Sequence, residues 1–258
     1  VFKWGLAGAA VATAVSQLVG GIVPLLYFAF SKKSPLRLVR TRLDIKSLLK
    51  CCVNGSSEMM TNISMSLVTI LYNFQLMDLI GENGVAAYGV IMYVGFVFVS
   101  AFIGFCVGSA PIISFHYGAN NHTELKKLLK MSCVIIILSS FFMTVVSLIL
   151  AKPLSAIFVG YDKDLLDITV RAFTIYCFSF LLVGFNIFGS SFFTALNDGL
   201  VSAIISFLRT LLFQVVAILI LPVLLGLDGV WAAVIVAEAL SLIVVLWFLI
   251  KMRSKYKY

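Results

Sequence analysis

Of the 258 residues, 62% are hydrophobic and only 12% are charged, against roughly 45–50% apolar and about 25% charged in a soluble domain, which excludes a water-soluble globular fold. The net charge of +8 would suit a nucleic-acid binder, but the basic residues fall in alternate connections between apolar runs, where they act as topology signals. The five cysteines form no framework, and His116 and His122 have neither the spacing nor the neighbours of a zinc or protease motif, so no cofactor and no catalytic centre are expected.

Seven apolar runs follow one another at 4–30, 55–77, 85–112, 131–151, 170–195, 201–224 and 229–250. Each reaches the roughly 20 residues a helix needs to cross about 30 Å of hydrocarbon. None alternates in ten-residue segments as a barrel strand does, so the expected fold class is an all-α integral membrane protein with seven transmembrane helices. Gly81-Glu82-Asn83-Gly84, Asn197-Asp198-Gly199 and Gly226-Leu227-Asp228-Gly229 carry the residues that end helices and reverse the chain.

The first run occupies a region 1–30 and is followed by a basic linker at 31–53. Within the linker, 41–53 has apolar residues at helical spacing with bases between them, as in a short amphipathic helix lying on an anionic leaflet. The next six runs make a lobe at 54–251, and 252–258 forms a basic tail. Fourteen of the basic residues lie on one side, in the linker, around Lys126, Lys127 and Lys130, and in the tail. That side is expected to be the cytoplasm.

Polar residues inside the runs are the candidate site. In the second run Glu58, Asn62, Ser66, Thr69 and Asn73 share one helical face and are expected to line a cavity. Two plainer roles stay open: Ser, Thr and Asn can bond neighbouring helices, and Glu58 can complement its helix dipole. Arg209 and Glu238 stand about 12 Å and 18 Å from the cytoplasmic ends of their runs at about 1.5 Å per residue. That is near enough for an ion pair, and a packing role is expected because an unpaired charge at that depth is expensive. Asn186 and Gln214 are weaker cavity candidates. The 22 Phe and eight Met are expected mainly to face lipid, the remainder suiting a cavity for flat hydrophobic cations.

The chain also repeats itself. Gly5 to Ala12 matches Gly226 to Ala233 at an offset of 221, and the same offset relates Gln17 to Glu238. With Val1 in place of an initiator Met, the first helix reads as the last of a truncated N-terminal lobe in a parent of about twelve spans, a two-half plan common among transporters.

Asn54-Gly55-Ser56-Ser57-Glu58-Met59-Met60, Gly84-Val85-Ala86-Ala87-Tyr88-Gly89-Val90, Ala110-Pro111-Ile112-Ile113-Ser114, Tyr117-Gly118-Ala119, Ala195-Leu196-Asn197 and Gly226 to Ala233 together resemble the second half of the MATE multidrug and toxic compound extrusion transporters, especially the MepA-like branch. The resemblance implies family helices six to twelve of a two-lobe, twelve-helix protein in a bacterial inner membrane, with its C-terminus cytoplasmic. It further implies export of small organic cations in exchange for Na⁺ or H⁺, in partnership with the missing lobe. One departure stands out: members with a cation site in this lobe carry an acid inside the helix matching 170–195, whereas here Asp167 and Asp198 only flank it. Other members place the coupling Asp on the first helix. A lipid-linked sugar flippase of the wider superfamily is the competing reading, and it predicts more cavity Arg and Lys than the single Arg209.

Overall fold

A computed structural model describes residues 5–30, 44–256 and 258, and these divide into two units at Lys46 and Ser47. The first unit holds α1, Gly5–Phe30, an apolar helix with Pro24 near its end. Five bases of the linker, Lys32, Lys33, Arg37, Arg40 and Arg42, lie outside the described residues, as does Lys3.

The second unit is helical apart from short turns, and the helices in order are α2 Ile45–Ile80, whose first two residues fall in the first unit, α3 Glu82–Gly118, α4 His122–Val159, α5 Lys163–Cys177, α6 Phe180–Ala195, α7 Gly199–Phe207, a π-helical turn Leu208–Phe213, α8 Gln214–Leu225 and α9 Leu227–Tyr256. Among the described residues six helices are long and apolar enough to cross a membrane, and α5 with α6, bent by 51°, makes up a seventh span when the pair is taken as one. The all-α, seven-span architecture expected from the apolar runs is the one observed. α2, α3 and α4 have 36, 37 and 38 residues, about 55 Å each, so they project well beyond about 30 Å of hydrocarbon.

Turn chemistry closes the hairpins. Gly81, Asn120, Asn197 and Gly226 adopt positive φ between consecutive spans, where glycine and asparagine are tolerated best. Asn121, Asp162 and Asp198 cap α4, α5 and α7 by accepting the amides of Glu124, of Asp164 and Leu165, and of Val201. Such caps satisfy amides that the helix itself leaves unpaired.

α6 is the central element, packed by α3, α4, α7 and α9. Where α6 meets α9, a Cβ on Gly189 would lie 2.4 Å from Val245 Cγ1, so only glycine permits that approach. Close contact of this kind matters in lipid, where apolar burial does little to draw helices together.

Three boundaries differ from the sequence reading. The amphipathic stretch does not form a separate linker helix in its described part, because α2 runs unbroken from Ile45 through Gly55. An interior glycine disfavours a helix by only about 1 kcal/mol, and Asn54 Nδ2 donates to the Thr194 carbonyl at 3.4 Å across the lobe. The 252–258 tail is not free: α9 continues to Tyr256, and Tyr256 and Tyr258 are buried against the lobe. Tyr256 also hydrogen-bonds Asp198 beside Lys255, whose ammonium stands 2.9 Å from the same carboxylate. Finally, the fifth span begins at Lys163 rather than 170 and breaks at Phe178 and Ser179.

Candidate functional site

Two polar groupings stand out within the apolar helices. The first is the face of α2. Glu58, Asn62 and Ser66 are exposed, and Thr69 and Asn73 are half-buried. Asn62 Nδ2 donates to the Glu58 carbonyl at 2.9 Å and Ser66 Oγ to the Asn62 carbonyl at 3.2 Å. The bonds of Asn62 and Ser66 run along the helix's own backbone, whereas the Thr69 side chain hydrogen-bonds Tyr88 of α3. The adjoining face fastens α2 as well: Tyr72 stacks on Tyr88 at 5.0 Å, and its hydroxyl donates to Gln214 Oε1 at 3.2 Å. Within this unit the stripe is an outward surface, and its residues line neither of the two grooves around Asp167, Arg171 and Asp228 or around Lys126 and Arg253.

The second grouping is buried. Arg209 Nε donates to both Glu238 carboxylate oxygens at 3.0 Å, and its Nη2 stands 3.0 Å from Oε1. Asn186 Nδ2 donates to Glu238 Oε2 at 2.5 Å and to the Glu238 main-chain carbonyl at 2.9 Å. The Arg209 and Glu238 side chains are 14% and 5% exposed, and Asn186 is fully buried. Three helices, α6, α9 and the α7–α8 span, therefore meet at one charge-neutral cluster, the arrangement that makes an intramembrane pair tolerable. Arg209 sits in the π-helical turn, a local widening that recurs at functional positions. Gln214 lies just past that turn but bonds Tyr72 rather than the cluster.

A third feature escaped the sequence reading. Five hydroxyls connect in series: Ser57 to Thr194 at 3.5 Å, Thr194 to Ser202 at 2.7 Å, Ser202 to Ser190 at 2.8 Å, and Ser190 to Ser206 at 2.9 Å. The signal was present, since Ser190 and Thr194 on one side of the Asn197 turn and Ser202 and Ser206 on the other are each spaced by four. Spacings of four put both pairs on facing helical sides. Gly199 permits the approach of α2 to this hairpin, because a Cβ there would lie 2.4 Å from Asn54 Cα.

Among the described residues no group of three His, Cys, Asp or Glu side chains is placed to hold a metal ion. Cys51 and Cys52 are exposed, whereas Cys106 and Cys177 are buried.

Comparison with known proteins places this arrangement. The MatE family model matches residues 59–220, more than half of the chain. The structure of MATE in complex with MaL6 superposes with a TM-score of 0.88 at 20% identity, covering 99% of this chain and 58% of that one. An outward-facing multidrug resistance MATE family transporter of the MOP superfamily gives 0.87 at 21%, covering 98% and 57%. A MOP superfamily transporter from Pyrococcus furiosus Vc1, described as having a binding pocket of reverse polarity, gives 0.86 at 23%, covering 99% and 58%. The chain thus spans about 58% of the length of these transporters. No curated protein matches its sequence. The family model together with the shared fold shows that the chain belongs to the MatE family, whose members are transporters.

Proposed function

We propose that the chain is the working C-terminal part of a secondary transporter, the family's sixth to twelfth helices on the MepA-like branch. In this reading it exports small amphipathic organic cations in exchange for Na⁺ or H⁺. The observation that carries the reading is the exposed polar face of α2, with Glu58, Asn62 and Ser66 standing outward from a helix otherwise apolar enough to span lipid. A carboxylate and an amide facing hydrocarbon are costly, so such a face belongs against water or a second polar surface. A path between two lobes supplies both, and its negative Glu58 suits a cationic substrate. The distribution of basic residues supports a cell-membrane location with the C-terminus in the cytoplasm.

The experiment is energised ethidium efflux from cells expressing the complete gene, with the Na⁺ and H⁺ gradients collapsed separately and Glu58→Gln beside the wild type. Efflux that stops with one gradient supports secondary export and names its ion. Loss in Glu58→Gln at normal expression ties the α2 face to transport, and no efflux of any cation under either gradient refutes the reading.

A further inference from the structure

The hydroxyl series and the buried Arg209–Glu238 cluster are parts of one line. Ser206 precedes Arg209 by three residues and Ser190 follows Asn186 by four, so the series ends about one helical turn, roughly 5–6 Å, from the cluster. Its other end is Ser57, beside Asn54 and next in sequence to the outward-facing Glu58. Each end holds an unused acceptor: Asn54 Oδ1 and Asn186 Oδ1 are buried and accept no hydrogen bond from any described group. An orphan amide oxygen in a membrane interior calls for a donor, and a water molecule is the smallest that fits between polar groups.

We propose that Ser57, Thr194, Ser202, Ser190 and Ser206 form a proton path, completed by a water at each orphan amide oxygen, that leads from Glu238 out to the α6–α7 turn. This rests on the transporter reading above and names the coupling ion as H⁺. In every link between two hydroxyls in the series, either oxygen is able to donate, so the row can reverse its polarity as a relay requires. Elsewhere in the lobe hydroxyls bond backbone carbonyls, three or four residues back as Ser147, Thr61, Thr144 and Thr169 do, or across the lobe as Ser114 does to Ala195. Here Ser57, Ser190, Ser202, Ser206 and Thr194 also bond one another across three helices.

The transfer balances simply. The Glu238 O–H bond breaks as the nearest oxygen gains its proton, each hydroxyl passes its own proton onward as it gains one, and the last proton is released to bulk water at the α6–α7 turn. Few charges face that carboxylate. The π-helical turn offers Arg209 and α5 offers Tyr176, which lies within electrostatic reach of both Glu238 and Arg209. α6, α7 and α8 contain no ionisable residue. Protonating Glu238 leaves the Arg209 guanidinium without its counter-charge in a largely buried place, so the π-helical turn must rearrange. Proton arrival is thereby converted into movement of the α7–α8 span.

The test is infrared spectroscopy of the purified chain in lipid. A protonated-carboxyl band should grow after a downward pH jump and vanish in Glu238→Gln. The double variant Arg209→Gln/Glu238→Gln repeats the assignment without leaving a lone buried charge. After a pH jump, the band should form at least about tenfold more slowly in Ser190→Ala/Ser202→Ala, and Ser190→Thr, which keeps the hydroxyl, should match wild type. No Glu238 band after the jump, or an unchanged rate in the double alanine variant, overturns the path. Ethidium transport by the complete gene product, measured in parallel, separates the two claims. A slowed Glu238 band with no cation transport leaves the path standing and sinks the exporter. H⁺-driven ethidium transport that ignores both Glu238→Gln and Ser190→Ala/Ser202→Ala leaves the exporter standing and sinks the path.

Discussion

Removing Glu238 alone should damage the lobe far more than removing the whole ion pair. In Glu238→Ala the Arg209 guanidinium, 14% exposed, loses all three of its contacts within 3.0 Å. Breaking a buried pair from one side costs about 3–5 kcal/mol. Asn186 Nδ2 keeps its 2.9 Å bond to the main-chain carbonyl of residue 238, so it adds little to that loss. In Arg209→Met/Glu238→Met both charges leave together and flexible side chains refill the space, so stability should stay within about 1 kcal/mol of wild type. The assay is reversible unfolding of the purified chain in mixed micelles with rising SDS, followed by tryptophan fluorescence. A double variant as unstable as the single one would show that the geometry, rather than the stranded charge, carries the stability, and would refute the reasoning.

Gly199→Ala should destabilise by about 1–3 kcal/mol, because its Cβ would meet Asn54 Cα at 2.4 Å and the Val53 carbonyl at 2.6 Å; the same SDS titration measures it. Acid should release the C-terminal turn. Burial pulls the Asp198 carboxyl upward, but the Tyr256 hydroxyl and the Lys255 ammonium outweigh it and hold the group below its ordinary value. The clasp is therefore fully present above the unfolded-state pKa of about 3.9 and is lost as pH falls through the lower native value; hydrogen exchange of residues 252–258 should rise there, and already at neutral pH in Asp198→Asn. A membrane-impermeant maleimide should label Cys51 and Cys52, both exposed, in inside-out vesicles and spare them in right-side-out ones, while buried Cys106 and Cys177 stay unlabelled in both. Labelling from the outside would reverse the proposed orientation.

Span number and order were legible because an apolar run of 20 residues has few alternatives in lipid. Arg209 and Glu238 could be named for the same reason, since charges are scarce in such runs. The kink at Phe178 and Ser179 was not, because no proline or glycine lies between Tyr161 and Val183 to announce it. The π-helical turn at Leu208–Phe213 likewise has no residue signature. Hydroxyl spacing on either side of Asn197 was visible, but the series depends on a third helix, α2, reaching it through Ser57, and pairing at 137 residues' separation is not written in local pattern. Direction was the remaining gap. Helical spacing grouped Glu58, Asn62 and Ser66 on one face without telling whether that face turned inward or outward.

Cysteine accessibility along α2 tests the central claim most directly. On a cysteine-free background, single cysteines at Glu58, Asn62 and Ser66 should react with a charged, water-borne thiol reagent, and ethidium should protect them. Cysteines at Leu67 and Phe74, exposed positions on another side of the same helix, should resist because lipid covers them. If Glu58, Asn62 and Ser66 proved as unreactive as Leu67, the α2 face would lie in lipid or against a sealed surface, and the transport path assigned to it would be contradicted.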